Sequence, residues 1–417
     1  MLTEGATCAR DRAGPGPRVL PSTLVSAAGE RGNGRPVYRN HNLQIIFTIT
    51  LMAVMGAAVI TPALPQVERA LDLSPGRVGL LLTVFTLPGV VLTPVLGVLS
   101  DRFGRKRVLV PSLLLFGVAG GACALAREMD VLLVLRFVQG CGAAALGMLS
   151  VTMIGDIFSA NDRDAAMGYN SSILSLGTGS YPALGGALAT LGWYYPFALP
   201  LVAIPVGLLV LFFLDNPEPD GEESLKQYFR DIRDSLSDRR NAGLLCATLV
   251  TFVILYGPQI TYLPILLTGS FGAAPWLVGL VLSSASFTTA ITSSQLGRLT
   301  RIVSGMALVR LAFVLYAISL SAIPLAPSLP FLLVPTVIFG VAQGINLPNI
   351  FSMLAGSAAS ESRGALLALN GMGLRLGQTL GPIVMGVSAT ALGLTGAYYT
   401  AAGLAAAMFL VAVAVIR

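Results

Sequence analysis

The sequence Gly97-Val-Leu-Ser-Asp-Arg-Phe-Gly-Arg-Lys-Arg107 joins two long apolar stretches of a 417-residue chain. A connection that only reverses the chain between two such stretches needs a few polar residues. This one contains one acid, four cations and two glycines at defined spacing. The pattern indicates that the loop makes specific contacts with the helices beside it, in addition to turning the chain.

Apolar residues dominate the chain on both sides of this loop. The sequence is 54% hydrophobic and 11% charged, with a mean hydropathy of +0.78, whereas a soluble domain has about 25% charged residues. A membrane span takes about 20 residues, and its backbone groups must be satisfied internally, which favours helices. We therefore predict an all-α polytopic membrane protein with twelve transmembrane helices near 43–65, 77–99, 107–126, 131–154, 164–191, 193–214, 242–267, 274–298, 302–323, 329–356, 363–392 and 394–416.

Lysine and arginine are divided unevenly between the two sides of the predicted membrane. Of the 26, twenty fall in the N-terminal stretch, the loops after even-numbered spans and the C-terminal residue, whereas only Arg69, Arg77 and Arg127 fall on the other side. Because cytoplasmic loops are enriched in cations, we predict a multi-pass protein of the cell membrane with both termini cytoplasmic. This bias accounts for the net charge of +6 without a nucleic-acid partner.

Motifs for catalysis and metal binding are missing from the sequence. The four cysteines have no metal-binding or redox spacing, and the single histidine, His41, lies at a predicted membrane edge. One histidine cannot build a His-rich metal site, and we find no H-E-x-x-H, no nucleophile motif and no phosphate-binding G-x-x-x-x-G-K-[ST]. We expect a monomer without cofactor, metal or enzymatic activity. A polytopic membrane enzyme is the remote alternative.

A polar stretch at 215–241 divides the chain into two halves. It opens with acidic residues and continues from Ser224 with apolar residues at helical spacing, which predicts an amphipathic helix on the membrane surface. A solvated linker helix is the alternative. The first 42 residues are rich in glycine, proline and arginine and predict a disordered cytoplasmic tail. The predicted domains are therefore 1–42, 43–214, 215–241 and 242–417.

The two halves resemble each other at an offset of 200 residues. One offset recurs across separated loops and helices, so chance is a poor explanation. The matching pairs are Arg163 and Arg363, Asn170 and Asn370, Gly177 and Gly377, and Pro182 and Pro382.

The loop that ends at Arg107 resembles the signature between spans 2 and 3 of major facilitator transporters, G-x-L-x-D-R-x-G-R-K/R. With the repeat, this resemblance implies two pseudo-symmetric six-helix bundles and a substrate between them near the midplane. Gly97 and Gly104 permit close helix approach and a tight turn. Asp101 is placed to cap a helix or to pair with Arg105, which would hold the cytoplasmic side shut. The alternative is a cluster that only fixes topology, formed by Arg102, Arg105, Lys106 and Arg107.

Two more charges are expected beside this loop. Asp156 ends span 4 and Arg163 begins span 5, both on the cytoplasmic side, so they can form a cluster with Asp101 and Arg105. Solvated loop charges are the alternative. In the second half Arg301 stands in place of Asp101 and the basic run is absent, so we expect an asymmetric gate in which the first loop dominates.

Span 4 contains Leu135-Arg-Phe-Val-Gln-Gly-Cys-Gly-Ala-Ala-Ala145. This resembles the R-x-x-Q-G-x-G-A-A pattern of proton-coupled members of the same superfamily. The resemblance implies a part in proton coupling for Arg136 and Gln139, since an arginine inside a membrane is costly and usually faces the bundle interior or water. The alternative is an arginine that extends to the outer membrane face.

Span 5 contains a run of glycines that ends in Gly-Gly. Its pattern resembles G-x8-G-x3-G-P-x2-G-G of drug–proton antiporters, which implies close packing of a kinked helix against a neighbour. Tyr181 replaces one glycine of that pattern. In span 11 the corresponding residues are Gly377, Gly381 and Pro382, so the glycine of the pattern is present there. The residues of span 5 that carry the resemblance are Gly168, Gly177, Pro182, Gly185 and Gly186.

Embedded charges in the predicted spans are all basic. Arg136, Arg310 and Arg375 lie inside spans, whereas no Asp or Glu lies away from a span edge. Arg375 is about twelve residues into span 11, or about 18 Å from its start. This imbalance favours anionic, zwitterionic or neutral apolar substrates over simple cations. The predicted cavity residues are Asn170, Tyr256, Gln259, Tyr262, Gln343, Asn346, Asn349, Asn370 and Arg375.

The leading hypothesis is a transporter resembling the twelve-span drug–proton antiporters over residues 43–416. That family implies efflux of small amphipathic compounds by alternating access, driven by the proton gradient. The alternative is a carrier of the same fold for an organic anion, a metabolite or a lipid-like substrate.

Overall fold

The computed structural model describes residues 37–215, 238–357 and 363–414. Most of the predicted tail and most of the predicted linker with its amphipathic helix lie outside these ranges. The described residues are helical and contain no strand. The main helices are α1 (His41–Ala70), α2 (Gly76–Phe103), α3 (Arg105–Cys123), α4 (Met129–Ile157), α5 (Ala160–Leu191), α6 (Tyr195–Phe213), α7 (Arg239–Phe271), α8 (Pro275–Ser294), α9 (Gly305–Leu325), α10 (Leu329–Ser357), α11 (363–392) and α12 (394–414).

Ten stretches of the described chain are long and apolar enough to cross a membrane. The last of them, Leu366–Ala414, holds both α11 and α12, because the chain breaks at Gly393, which has φ 75°. Helix α5 is outside the ten. Its many serines, threonines and glycines lower its hydropathy, yet it packs against α1 and α8 inside the bundle. The all-helical membrane fold predicted from the sequence is confirmed.

Local sequence sets the ends and irregularities of several helices. The Asn40 side chain accepts hydrogen bonds from the backbone N–H groups of Asn42 and Leu43 and so caps α1. Gly104 separates α2 from α3 with φ 95°, a conformation that side chains disfavour. Helix α7 widens into a π-helix over Leu255–Tyr262, where Pro258 cannot donate a backbone hydrogen bond.

Each half of the chain has its own hydrophobic core. One buried cluster runs from Leu43 to Leu214 and the other from Leu244 to Ala412. In the first half α4 packs on α1, α2 and α3, and in the second half α10 packs on α7, α8 and α9. The result is two six-helix bundles, joined by the contacts of α2 with α11 and of α5 with α8.

Candidate transport pathway

The two halves touch through two pairs of helices, and the contacting residues of one pair lie 200 positions from those of the other. A Cβ atom built on Gly79 of α2 would lie 3.2 Å from Pro382 of α11, and one on Gly279 of α8 would overlap the carbonyl of Pro182 in α5. The two glycines differ by 200 positions, as do the two prolines. The halves therefore meet backbone to backbone at repeat-related points, which we call the seam.

Hydrogen bonds across the seam lie near these contacts. Thr83 donates to the backbone carbonyl of Thr379 at 3.2 Å, and the hydroxyls of Thr86 and Thr379 are 3.1 Å apart. On the other side of the seam, the Ser283 hydroxyl accepts from the backbone N–H of Ala183 at 3.1 Å. We call the end of the bundle that carries Asp101 the Asp101 face, and the opposite end, which the seam closes, the far face.

Toward the Asp101 face, helix α5 loses its packing on one side. Tyr169, Leu174 and Leu176 are 42%, 40% and 55% exposed, and the five-residue step from Tyr169 to Leu174 puts them on two different sides of the helix. In contrast, Tyr181, closer to the far face, is 7% exposed. A helix in a closed bundle exposes one side to lipid. The second exposed side therefore lines a cleft that opens at the Asp101 face.

The Gly97–Arg107 loop forms a compact charge cluster. Arg105 contacts the carboxylate of Asp101 one turn before it, and its Nε donates to Asp156 of α4 at 3.0 Å. Its NH1 also donates to the Ser100 hydroxyl at 2.8 Å. Arg163 instead donates to the backbone carbonyl of Gly155 at 2.7 Å. The structure therefore brings together three of the four charges grouped from the sequence, while the fourth interacts with the end of α4.

The other residues of this loop have separate contacts. Lys106 donates to the carbonyl of Leu214 at 3.1 Å, which ties the loop to the end of α6. A Cβ on Gly97 would lie 3.3 Å from the sulfur of Met148, so α2 and α4 approach closely there. The guanidinium of Arg102 lies 5.8 Å from the ring centre of the adjacent Phe103. These contacts hold the loop against α4 and α6 of its own half.

We expect Asp156→Asn to slow transport without loss of folded protein. The change removes a charge that accepts from the nearly buried Arg105, and a hydrogen bond to a charged group contributes about 1.5–3 kcal/mol. Transport should therefore fall roughly tenfold or more. The measurement is the initial transport rate at equal amounts of protein. Asp164→Asn, at an exposed position of α5, is the matched control, and equal rates for both variants would contradict a role for the cluster.

Arg136 is fully buried and has several acceptors. It donates to the backbone carbonyls of Leu81 at 3.2 Å and Gly56 at 3.0 Å, and to the side chain of Gln139 at 2.7 Å. Its guanidinium carbon lies 4.1 Å from the centre of the Phe85 ring. These contacts link α1, α2 and α4 around one cation. The arrangement favours a packing role and excludes an arginine that extends to the outer surface.

Asparagines at repeat-related positions join helices within each half. The Thr50 hydroxyl of α1 donates to Asn170 of α5, and the Thr248 hydroxyl of α7 donates to Asn370 of α11, both at 2.6 Å. Both asparagines are buried. Because their amide oxygens are occupied within each half, a packing role is favoured over the predicted place in the cavity.

Three predicted cavity residues of α10 also have partners within the second half. Gln343 accepts from the hydroxyl of Tyr316, and Asn349 donates to the carbonyl of Gly305 at 2.6 Å. Asn346 donates to Thr251 at 2.7 Å, but its buried amide oxygen has no partner. Of the three, Asn346 keeps an unused acceptor.

The glycine motif of α5 makes contacts of three kinds. Gly168 has open space around it, whereas a Cβ on Gly177 would touch Leu51 of α1 at 3.0 Å. A Cβ on Gly185 would overlap the carbonyl of Val59 in the same half, and one on Gly186 would overlap the carbonyl of Pro275 across the seam. In α11, Gly377 and Gly381 lie against the backbone of α7 in the same way.

We expect Gly186→Ala to reduce transport by shifting the protein away from the state described here. The new methyl group would overlap the backbone of Pro275, so the seam could no longer close, while the contacts within each half stay intact. Overpacking of this kind costs about 1–3 kcal/mol, which predicts a roughly tenfold slower cycle. Transport rates at matched protein levels test this. Gly168→Ala is the control, and a Gly186→Ala variant as fast as that control would contradict it.

The π-helix of α7 contains three of the predicted cavity residues. Tyr256 packs partly against the core of the first half. Gln259 is buried, and neither its amide nitrogen nor its amide oxygen has a partner. The Tyr262 hydroxyl lies against Gly386 of α11, where a Cβ would be 2.9 Å away. Tyr262 therefore belongs to the far end of the seam, whereas Gln259 is the buried polar side chain left for a ligand or water.

Arg375 lies across the seam at the mid-height of α11. A Cβ on Gly89 of α2 would be 3.2 Å from its Cδ, so its stem packs directly on the other half. Its NH1 donates to Gln378 one turn later at 3.3 Å, and Tyr256 of α7 is close enough to interact with Arg375 electrostatically. We call Tyr256, Arg375 and Gln378 the Arg375 cluster. Arg375 is partly exposed, so the cluster is open to the cleft.

Sequence reasoning missed the seam residues of α2 and α8. These residues form two pairs that each differ by 200 positions, Gly79 with Gly279 and Thr83 with Ser283. The repeat could therefore have identified them. Gln378 was missed as well, although it follows Arg375 by three residues and therefore shares its helix face.

Comparisons with known proteins agree with this architecture. The family model described as Major Facilitator Superfamily matches residues 46–303 and 244–417. The bacillibactin exporter of Bacillus subtilis (strain 168) is 26% identical over 363 residues, which cover 82% of this chain and 88% of the exporter. The tetracycline resistance protein, class C, of Escherichia coli is 27% identical over 362 residues, which cover 83% of this chain and 89% of that protein.

Solved structures show the same fold at lower identity. A bacterial homologue of the human lysosomal transporter Spinster, crystallised in an inward-facing and occupied conformation, has a TM-score of 0.74 at 18% identity and covers 92% of this chain and 96% of its own. A D-xylose–proton symporter has a TM-score of 0.73 at 17% identity, covering 90% and 97%. With two repeat-related six-helix bundles and a family model that matches nearly all of the described residues, this chain belongs to the Major Facilitator Superfamily.

Proposed function

We propose that this transporter exports small amphipathic compounds by alternating access. The observation that carries the proposal is the asymmetry of the contact between the halves, which are joined at the far face and separated at the Asp101 face. A cleft open at one end and closed at the other is the arrangement from which a substrate is taken up on one side only. The repeat-related seam is the part that must open for release.

The orientation of the cleft suits export. Most lysines and arginines of the sequence fall on the side of Asp101, and such residues concentrate on the cytoplasmic side. The cleft described here therefore faces the cytoplasm, from which compounds are collected. The exporter and resistance proteins among the relatives support efflux over uptake.

Apolar surface and a few polar groups suit an amphipathic substrate. Gln259 and Asn346 keep buried amide atoms without partners, and the Arg375 cluster adds a cation. Proton exchange is the coupling that the resemblance to drug–proton antiporters implies. At the Asp101 face, the carboxylates of Asp101 and Asp156 share Arg105.

Everted membrane vesicles test the proposal. Vesicles that contain the protein are given a pH gradient and then a panel of drugs, and an exporter of this kind should dissipate the gradient when a substrate is added. Drug susceptibility of a host without its own pumps should fall when the protein is expressed. No change in gradient and no change in susceptibility for any compound would count against drug export and favour a dedicated metabolite or lipid carrier.

A further inference from the structure

We infer that Arg375 binds an anionic group of the transported compound, so that negative charge leaves with it and the membrane potential drives export. This inference rests on the export function proposed above and specifies its substrate class and its driving force. It starts from a difference among the three arginines inside the helices.

The three embedded arginines differ in how their donors are used. Arg136 donates from Nε and NH1 to two backbone carbonyls and a glutamine, and its NH2 has no partner but is fully buried and closed to a ligand in the cleft. Arg310 donates to the carbonyl of Ala412 in α12. Arg375 is partly exposed and donates from NH1 to the neutral Gln378 at 3.3 Å, a long contact. A guanidinium has five N–H donors, so that of Arg375 has capacity left for a ligand.

The residues related to Arg375 and Gly89 by the 200-residue repeat carry no charge. Ser175 stands 200 positions before Arg375, and its hydroxyl donates to the carbonyl of Ser171. Thr289 stands 200 positions after Gly89, and its hydroxyl donates to the carbonyls of Ala285 and Gly340. The positions of α5 and α8 that correspond to Arg375 and Gly89 are therefore occupied by neutral residues, whereas α11 places a cation against α2. Gly89 leaves room for the stem of that arginine.

No carboxylate of the described helices lies at the depth of Arg375. The acids of the N-terminal bundle stay within five residues of a helix end. A charge inside a membrane protein is costly unless it is paired or faces water. An anionic substrate would supply the missing counter-charge, and Gln378 and Tyr256 add neutral hydrogen-bonding groups beside it. The helix-end acids are Glu68, Asp101, Asp130, Asp156, Asp162 and Asp164.

A membrane potential that is negative inside the cell drives an anion out of the cytoplasm. A potential of about 100 mV is equivalent to a roughly 50-fold concentration ratio for a monovalent ion. The potential alone can therefore sustain export, and an inward flow of protons would add to it in the same electrical direction.

Two dyes of opposite charge in proteoliposomes test the inference. The purified full chain is reconstituted, the pH is set equal on both sides, and a potassium gradient with valinomycin sets the potential. The anionic dye carboxyfluorescein should move toward the positive compartment at a rate that rises with the potential, and the cationic dye ethidium should not. Arg375→Gln should lower the carboxyfluorescein flux about tenfold or more, and Arg375→Lys should keep most of it.

An arginine-to-glutamine substitution at Arg310 serves as the control. Arg310→Gln removes an arginine that contacts α12, away from the seam, and should leave the flux unchanged. Ethidium flux without carboxyfluorescein flux, or an anion flux that Arg375→Gln does not change, would overturn the inference and leave the export function standing. Movement of neither dye, together with no response to any drug in vesicles, would count against both.

Discussion

We expect oxidation of a Thr86→Cys/Thr379→Cys variant to stop transport and reduction to restore it. The two hydroxyls are 3.1 Å apart and belong to opposite halves, within the range that a disulfide can bridge with small adjustments. The bond would hold the far face closed. Because export by alternating access requires that face to open, we expect the rate to fall to the background of protein-free membranes. Cross-linking is verified by mass spectrometry before and after reduction.

A control cysteine pair within one half shows whether a disulfide stops transport by blocking the opening of the seam or by damaging the protein. The hydroxyls of Ser388 and Thr400 are 2.7 Å apart but join α11 to α12 within one half. Oxidation of Ser388→Cys/Thr400→Cys should leave transport intact if the halves move as units. Wild-type protein treated in the same way controls for the four native cysteines. A cross-linked seam with undiminished transport would contradict opening at the far face.

Arg136→Ala is expected to destabilise the folded protein severely. Its guanidinium is the donor for two backbone carbonyls and for Gln139, and each buried acceptor left without a partner costs about 1–3 kcal/mol. The apparent Tm of detergent-purified protein should fall by on the order of 10 °C. Loss of the packing between α1, α2 and α4 is the physical reason.

Arg136→Lys tests whether charge alone is enough. A lysine keeps the cation but lacks the planar fork that reaches several acceptors at once, so its Tm should also fall, by less than that of the alanine variant. If Arg136→Ala folds with an unchanged Tm but cannot couple transport to protons, the packing role is wrong and the coupling role implied by the family resemblance takes its place.

Helix number and the division into two halves were accessible from sequence because they depend on local composition and on the repeat. Twenty-residue apolar stretches, the 200-residue offset and the Gly97–Arg107 loop predicted the bundle, and the family comparison confirms it. Helix α5 was predicted as a span from the sequence, although it lies outside the ten stretches that are long and apolar enough to cross a membrane. The sequence did not predict contacts between helices that are far apart along the chain.

Polar residues in the spans illustrate that limit. Asn170 and Asn370 have the composition of cavity residues, yet each accepts from a threonine about 120 residues away. Arg163 has the charge to join an acid, yet it donates to the end of α4. A polar side chain in a helix bonds to whichever neighbour the packing brings near, and a single sequence does not contain that distance.

Sequence alone determined the helical membrane fold, the two halves, the charge cluster of the first loop and the absence of embedded acids, because each follows from residue type and spacing along one chain. Only the tertiary structure shows which face is open, that Pro182 and Pro382 pack against Gly279 and Gly79 at the far face, and that Arg136 is fully buried whereas Arg375 is partly exposed. The physical reason is that closing the far face and pairing a buried charge both depend on which helices lie side by side. Two halves with nearly the same sequence pattern can pack in more than one relative position, so the sequence does not fix these contacts.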